Sequence, residues 1–521
     1  MRWALLLLAL ASAASSQDTC ISSDDDPYVL FGTKTAYNFV NRQLSNRRPE
    51  DVPGLRWDTS SAGNFTGCLI LHAKTQQCKY CCFTAGLASK MVVTIRADLA
   101  QGCQPAAIWL LNRHGAHNPE ADELSELERL NNYKDNVLNN YRTPGFRTNH
   151  NPQMCAADLA LLSGWSFNIL NRTFAGDLTS AGYMQTQDLG REWRRRYPSL
   201  FTTNNHDYLF KFANEKRFTD SFRAFTEGLF GAQAESIVMP RDNDEKLVRP
   251  YKFCPTWIKE VNDTSQNSQR NIFESKREFA EMVTNVSLRL GFNYDIDRDI
   301  IQRMYQMCRY NKAWDITKKS PWCGAFSRED LRRFEYAEDL ETYTKYGYQS
   351  DLSPKLGCTQ VKDFVNFFRN HVKEDAPVQP RVSVQFAETP LLLMLLTALG
   401  ARHDNVPLTG DNYHTTAVQS RQWSNSIMDP FNANIAAVLY RCNPNGNFGF
   451  KDRYQILFLQ NAQTMKIDNC RDGLCEWSHV ISKFGDLADK CNLDFCNSAP
   501  RLNSFVSLSL TLVAFCFRYV M

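Results

Sequence analysis

Apolar and polar residues run along this chain in blocks whose period changes. The stretch 104–112 opens with Gln104 and Pro105 and continues as Ala-Ala-Ile-Trp-Leu-Leu without a charge. A short continuous apolar run closed by turn residues predicts a strand covered on both faces. It ends at Asn112-Arg113-His114-Gly115. Leu178-Thr179-Ser180-Ala181-Gly182 then leads into a predicted helix over 183–197, with Thr179 or Ser180 as cap and Pro198 as stop. Alternation predicts a strand at 208–212, and helical spacing returns over 217–231, where a glycine closes it.

From 246 to 357 the pattern is helical and charged, with helices expected over 271–290, 297–312 and 328–344. This stretch is expected to form a helical cap, inserted into a core built from 17–245 and 358–490. Strands return at 381–385, 435–440 and 454–459. The helix at 388–400 is almost wholly apolar, so it must be buried. Strands alternating with helices predict an α/β fold.

The two ends follow a different logic. Arg2, a short apolar run and the small residues around Ala11-Ser12-Ala13 have the layout of a secretory signal peptide, expected over 1–16. At the other end, small residues, a short polar spacer and an apolar tail resemble a lipid-anchor signal of the GPI type over 499–521. A single membrane helix is the alternative there, although the tail is at the short limit for spanning. Export changes the meaning of the 17 cysteines. Setting aside Cys516 in the tail leaves an even number, suited to disulfides in an oxidising compartment. Cys470 and Cys475 are close enough in sequence to pair locally, and Cys78, Cys81 and Cys82 are expected to be structural. Asn64, Asn171, Asn262 and Asn285 begin N-x-[ST] sequons, hence surface positions in an exported chain.

Composition narrows the partners. In 521 residues, 43% are hydrophobic and 22% charged, which excludes collagen-like, coiled-coil and largely disordered chains. The net charge of +3, from 59 basic and 56 acidic residues, carries no nucleic-acid signature. Zincin, serine-hydrolase and P-loop motifs are absent from the sequence.

The chemistry gathers at Arg113-His114-Gly115. Catalytic groups in open α/β sheets collect at the carboxyl ends of strands. An imidazole there can attack phosphorus and hold the phosphoryl group covalently, while a guanidinium offers planar donors to phosphate oxygens.

Leu111-Asn-Arg-His-Gly-Ala-His-Asn-Pro119 resembles the R-H-G-x-R-x-P signature of the histidine acid phosphatases. Leu178-Thr-Ser-Ala-Gly182 with Gln185 and Leu189-Gly190, Lys216-Arg217 with Asp220-Ser221, and Phe386-Ala-Glu-Thr389 resemble further family segments in the same order. The last, with Arg421-Gln-Trp423 and Pro430-Phe431…Asn434, is similar to the multiple inositol polyphosphate phosphatase branch. The resemblance implies a histidine-phosphatase-like sheet core and hydrolysis of small phosphate monoesters, inositol polyphosphates among them, through a phosphohistidine and without a metal or cofactor. It implies His114 as nucleophile, Glu388 as the general acid, and Arg113 and Arg217 as phosphate ligands. Two positions depart from the family. His117 replaces the second arginine of the signature, and Phe386 replaces the histidine of H-A-E-T. Losing one preorganised donor costs about 10²–10³ in rate. His117 is expected to compensate in part as a phosphate ligand, being cationic below about pH 6.5. Three outcomes are open: an enzyme of reduced activity favouring acid pH, a surface-anchored pseudophosphatase that binds phosphate esters or a protein partner, or a structural domain. Oligomeric state is open too.

Overall fold

The run that ends at Arg113-His114 is a central strand of an eight-stranded sheet. The fold is that of a computed structural model, which describes residues 20–21, 26–40, 103–143, 153–167, 172–236, 241–242, 244–264, 268–373, 380–443, 451–471 and 473–497. The expected leader, the C-terminal tail, the sequons at Asn64 and Asn171, and Cys78, Cys81 and Cys82 lie outside the described residues.

The strands are β1 (Cys103–Arg113), β2 (Tyr208–Phe212), β3 (Arg241–Asp242), β4 (Val382–Ala387), β5 (Asn434–Cys442), β6 (Tyr454–Gln460), β7 (Gln463–Thr464) and β8 (Leu474–Glu476). Their order is β3-β2-β4-β1-β5-β6-β7, with β8 beside β6. The β3-β2-β4-β1 half is parallel, and β5 to β8 add on antiparallel. β4 is buried along its whole length and β1 from Ala107 to Arg113, as a two-faced strand requires, while the start of β1 is partly exposed.

Two apolar layers cover the sheet. On one face Ile108, Leu110, Val384, Phe386 and Val438 meet α1 (Ser180–Arg196) and α2 (Lys216–Phe230) through Leu189, Trp193, Phe218 and Phe225. Thr179 caps α1 by accepting a hydrogen bond from Gly182 N–H at 2.9 Å. Gly231 ends α2 in the left-handed region, φ 60°.

The other face carries the larger layer. The predicted cap helices are α3 (Gln269–Glu274), α4 (Arg277–Arg289), α5 (Arg298–Trp314) and α6 (Arg328–Tyr346). They share one apolar cluster with α7 (Ser353–His371), α8 (Thr389–Ala398), α9 (Trp477–Asp489) and the sheet residues Trp109 and Leu111. The helix expected over 271–290 is two helices. Lys276 is extended (φ −73°, ψ 156°), and the Ser275 N–H turns back to the Asn271 and Ile272 carbonyls, closing α3. Phe273 and Phe279 nevertheless meet edge-on at 5.9 Å, both buried, so apolar spacing alone runs through the break. The expected limit between cap and core, at 357–358, falls inside α7. α8, apolar on all sides, is packed between the sheet and these helices.

Six disulfides join the described cysteines. Cys470–Cys475 is the local pair expected from sequence. Cys103–Cys442 clasps opposed residues of β1 and β5, and Cys254–Cys496 ties the start of the helix Pro255–Thr264 to the chain's C-terminal segment. Asn285 is exposed on α4, and no helix among the described residues is long and apolar enough to cross a membrane.

Candidate active site

β1 and β4 are parallel neighbours, with Arg113 opposite Ala387. The next residues, His114 and Glu388, therefore emerge side by side at the carboxyl ends of the two strands, and the His114 N–H still reaches the Ala387 carbonyl at 3.2 Å. β2 lies on the far side of β4, and the helix that follows it, α2, brings Arg217 in its first turn. The topology thus gathers His114, Glu388 and Arg217 at one sheet edge, where open α/β sheets place their ligands.

The loop after β1 is held tightly. Gly115 N–H donates to Ser221 Oγ at 3.2 Å, and a Cβ at Gly115 would lie 2.6 Å from Thr186 Oγ1. Gly182 passes so close to Ala116 that a side chain there would overlap the Ala116 carbonyl. Asn432, at φ 61°, donates its N–H to the His114 carbonyl at 3.2 Å.

His114 is 4% exposed. Its Nδ1 is 2.9 Å from the Gly115 carbonyl. A proton on Nδ1 satisfies that contact and leaves Nε2 with a free lone pair, the tautomer a nucleophile needs. Burial pushes its pKa well below the usual value, helped by His117, Arg113 and Arg217 and opposed by the Gly115 carbonyl. The imidazole therefore stays neutral into the acid range.

Arg113 is anchored from behind. Its NH1 donates to the Asp429 carbonyl at 2.7 Å and to the Thr33 carbonyl, and it lies 3.4 Å from Asp429 Oδ2. Its Nε, buried, has no hydrogen-bond partner among the described residues. Burial pushes Asp429 up to about 6, against the pull of Arg113 and of Thr389, which donates to it at 2.5 Å.

Arg217 meets Glu120 at 2.6 Å and Glu215 and Glu388 at 3.5 Å. Glu388 receives more than Arg217. Tyr251 Oη donates to its Oε2 at 2.6 Å, while Arg249 at 3.4 Å and Lys252 at 3.5 Å face its Oε1. Sequence reasoning missed Arg249, Tyr251, Lys252, Asp429 and Thr33. Asp429 adjoins the quoted Pro430-Phe431, but the others lie in stretches without a motif, brought in only by tertiary packing.

His117 is near the nucleophile, its ring 5.0 Å from that of His114 and 5.6 Å from Phe431. The charge expected of it at mildly acid pH is opposed by its burial. Burial pushes its pKa down to about 3, against the Asn118 carbonyl and helped by Arg217, Arg113 and Lys34. Phe386 is fully buried and meets Phe225 edge-on at 5.7 Å, within the apolar layer under α2. It offers no donor.

Fold and site together define an α/β protein with a buried histidine, arginines and a carboxylate at the carboxyl ends of adjacent parallel strands. A model described as the histidine phosphatase superfamily, branch 2, matches residues 108–455, and the chain belongs to that family. It is 35% identical over 424 residues to multiple inositol polyphosphate phosphatase 1 of Drosophila melanogaster, covering 80% of this chain and 88% of that one. It is 24% identical to the Homo sapiens protein of the same name, covering 78% and 84%. Among solved structures it is similar to the phytase from D. castellii, with a TM-score of 0.62, 16% identity, and 77% and 83% of the two chains covered. The Bifidobacterium longum multiple inositol polyphosphate phosphatase, in complex with inositol hexasulfate, aligns with a TM-score of 0.53 and 12% identity, covering 76% and 94%. These two likenesses establish the histidine acid phosphatase fold.

Proposed function

We propose that the chain hydrolyses phosphate monoesters, inositol polyphosphates foremost, through a phosphohistidine. The observation that carries this is the convergence of buried His114 with Arg113, Arg217 and Glu388 at the ends of β1, β4 and β2, where burial opposes protonation of the imidazole. His114 Nε2 attacks phosphorus and the P–O bond to the alcohol breaks. The leaving oxygen takes a proton from Glu388. Water then attacks the phosphohistidine, gives a proton back to Glu388, and releases inorganic phosphate and free His114. Arg113 and Arg217 stabilise the transferring oxygens. The 35% identity to the Drosophila protein supports inositol polyphosphates as the substrate class. The six disulfides suit an exported chain. Residues 1–16 are its leader, and 499–521 direct a lipid anchor at the cell surface.

The test follows phosphate release from inositol hexakisphosphate between pH 4 and 8, using the chain produced by secreting cells beside His114→Ala. Release by the parent is expected to fall by about 10³ or more in the variant. Equal release from both proteins would refute the phosphohistidine route.

A further inference from the structure

With Phe386 apolar and His117 neutral, the site lacks two of the donors that the family signature supplies. One buried guanidinium stands near the nucleophile with part of its hydrogen-bonding capacity unspent. Arg249 follows the short helix Glu245–Val248, and its side chain is 5% exposed. NH1 is bound to Glu215 at 2.5 Å. Nε and NH2 are buried and hydrogen-bond to nothing among the described residues, although NH2 is 3.4 Å from Glu388 Oε1. A guanidinium costs free energy to bury, and leaving two of its donor nitrogens unmatched adds to that cost. Packing alone does not call for such a group.

Its placement is specific. The guanidinium lies 4.6 Å from the centre of the Phe218 ring. The same ring has Arg217 at 5.7 Å and meets the His114 ring edge-on at 5.6 Å. Phe218 is therefore a shared wall for the nucleophile and two arginines, and Glu388 lies within 3.5 Å of both guanidinium groups. A phosphoryl group presented to His114 and Glu388 must enter this enclosure.

We infer that Arg249 is a third phosphate-binding arginine, turning its Nε and its NH2, now 3.4 Å from Glu388 Oε1, toward oxygens of the phosphoryl group being transferred and standing in for the donor that Phe386 cannot supply. Tyr251 and Lys252, on the same segment, hold Glu388 in position. The Cys254–Cys496 disulfide holds this segment against the body of the protein. The assignment rests on the phosphatase reading of the site, but inorganic phosphate can probe it without turnover.

The experiment compares the full chain with Arg249→Met, Arg249→Lys and Arg217→Met. It reads inorganic phosphate binding by calorimetry at pH 5.5, steady-state kinetics on inositol hexakisphosphate and p-nitrophenyl phosphate, and the melting temperature. Losing a charged donor is expected to weaken phosphate binding about 10- to 100-fold in Arg249→Met, close to the loss in Arg217→Met. kcat should fall on both substrates, because the contact is to the transferring group itself. Arg249→Lys should recover part of the binding at an unchanged melting temperature. That recovery separates a ligand from a structural prop, even if Arg249→Met folds poorly. Parent-like phosphate binding and kcat in Arg249→Lys and Arg249→Met, with loss only in Arg217→Met, would overturn the assignment and leave the phosphatase reading intact. Absence of phosphate binding by the parent would overturn both.

Discussion

His117 stands where the family signature carries an arginine, and burial leaves its ring with a pKa near 3. The neighbourhood explains why a fixed cation is not free to sit there: Arg217, Arg113 and Lys34 all act against a further positive charge. Phosphate reverses that balance, because a bound dianion attracts every one of them. His117→Arg should therefore show two opposite effects. It should lower the melting temperature in phosphate-free buffer, and millimolar phosphate should restore it, since a ligand that binds only the folded state stabilises it. The added donor should also raise kcat on inositol hexakisphosphate about tenfold, less than the ~10²–10³ of a donor built in from the start. A variant as stable as the parent without phosphate, and no faster, would mean that residue 117 does not face the phosphoryl group.

The elements that carry the site are placed by close helix contact. α1 and α2 cross where Gly190 faces the Phe225 carbonyl and Gly228 faces the Gln187 carbonyl. A Cβ on either glycine would overlap the opposing backbone. Gly228→Ala tests the contact because two effects compete. Helix propensity favours alanine by about 1 kcal/mol, whereas overpacking against backbone, which no rotamer relieves, costs about 1–3 kcal/mol. The overlap should win, so the urea midpoint should fall, and kcat with it, since α2 carries Arg217 and the Ser221 that holds Gly115. A midpoint at or above the parent's would contradict the crossing. These elements were legible in the sequence because their signals are local. Thr179 and Gly231 punctuate α1 and α2, and the short apolar run at 104–112, bounded by turn residues, suits a doubly covered strand. The break at Lys276 was not legible, because Phe273 and Phe279 keep facing the core through it. Nor was the continuity of α7 across 357–358, since its apolar stripe serves the cap and the sheet alike. His114, Arg113, Arg217 and Glu388 could be read from motifs. Arg249 and Tyr251 could not, because only the packed chain brings them to Glu388.

At the scale of the whole molecule, the buried site ties stability to pH. His114, His117 and His371 all have pKa values pushed down, in each case first by burial. The unfolded chain binds protons at these histidines from about pH 6.5 downward, and burial makes the folded chain bind them less readily. Unfolding then takes up protons, so stability falls with pH by up to about 1.4 kcal/mol per unit for each such group, in a window from 6.5 down to the folded value, about 3 for His117. Asp429 works in the opposite direction. Burial raises it to about 6, above its unfolded value of 3.8, so folding takes up a proton there and the group favours the folded state as pH falls between those values. Asp339, also buried, is pushed up in the same way and acts with Asp429, so the contribution of the site histidines is isolated by a variant that leaves both acids in place. The double variant His114→Ala/His117→Gln removes two of the three lowered histidines and leaves Asp429 and Asp339 in place. Its urea stability should lose less on acidification than the parent's, and the parent–variant difference should shrink by about 2 kcal/mol or more on going from pH 6.5 to 4.5. An identical slope in both proteins would mean that these rings are protonated in the folded chain. That result would also remove His114 as an unprotonated nucleophile at acid pH, so a stability measurement made without substrate bears directly on the catalytic route.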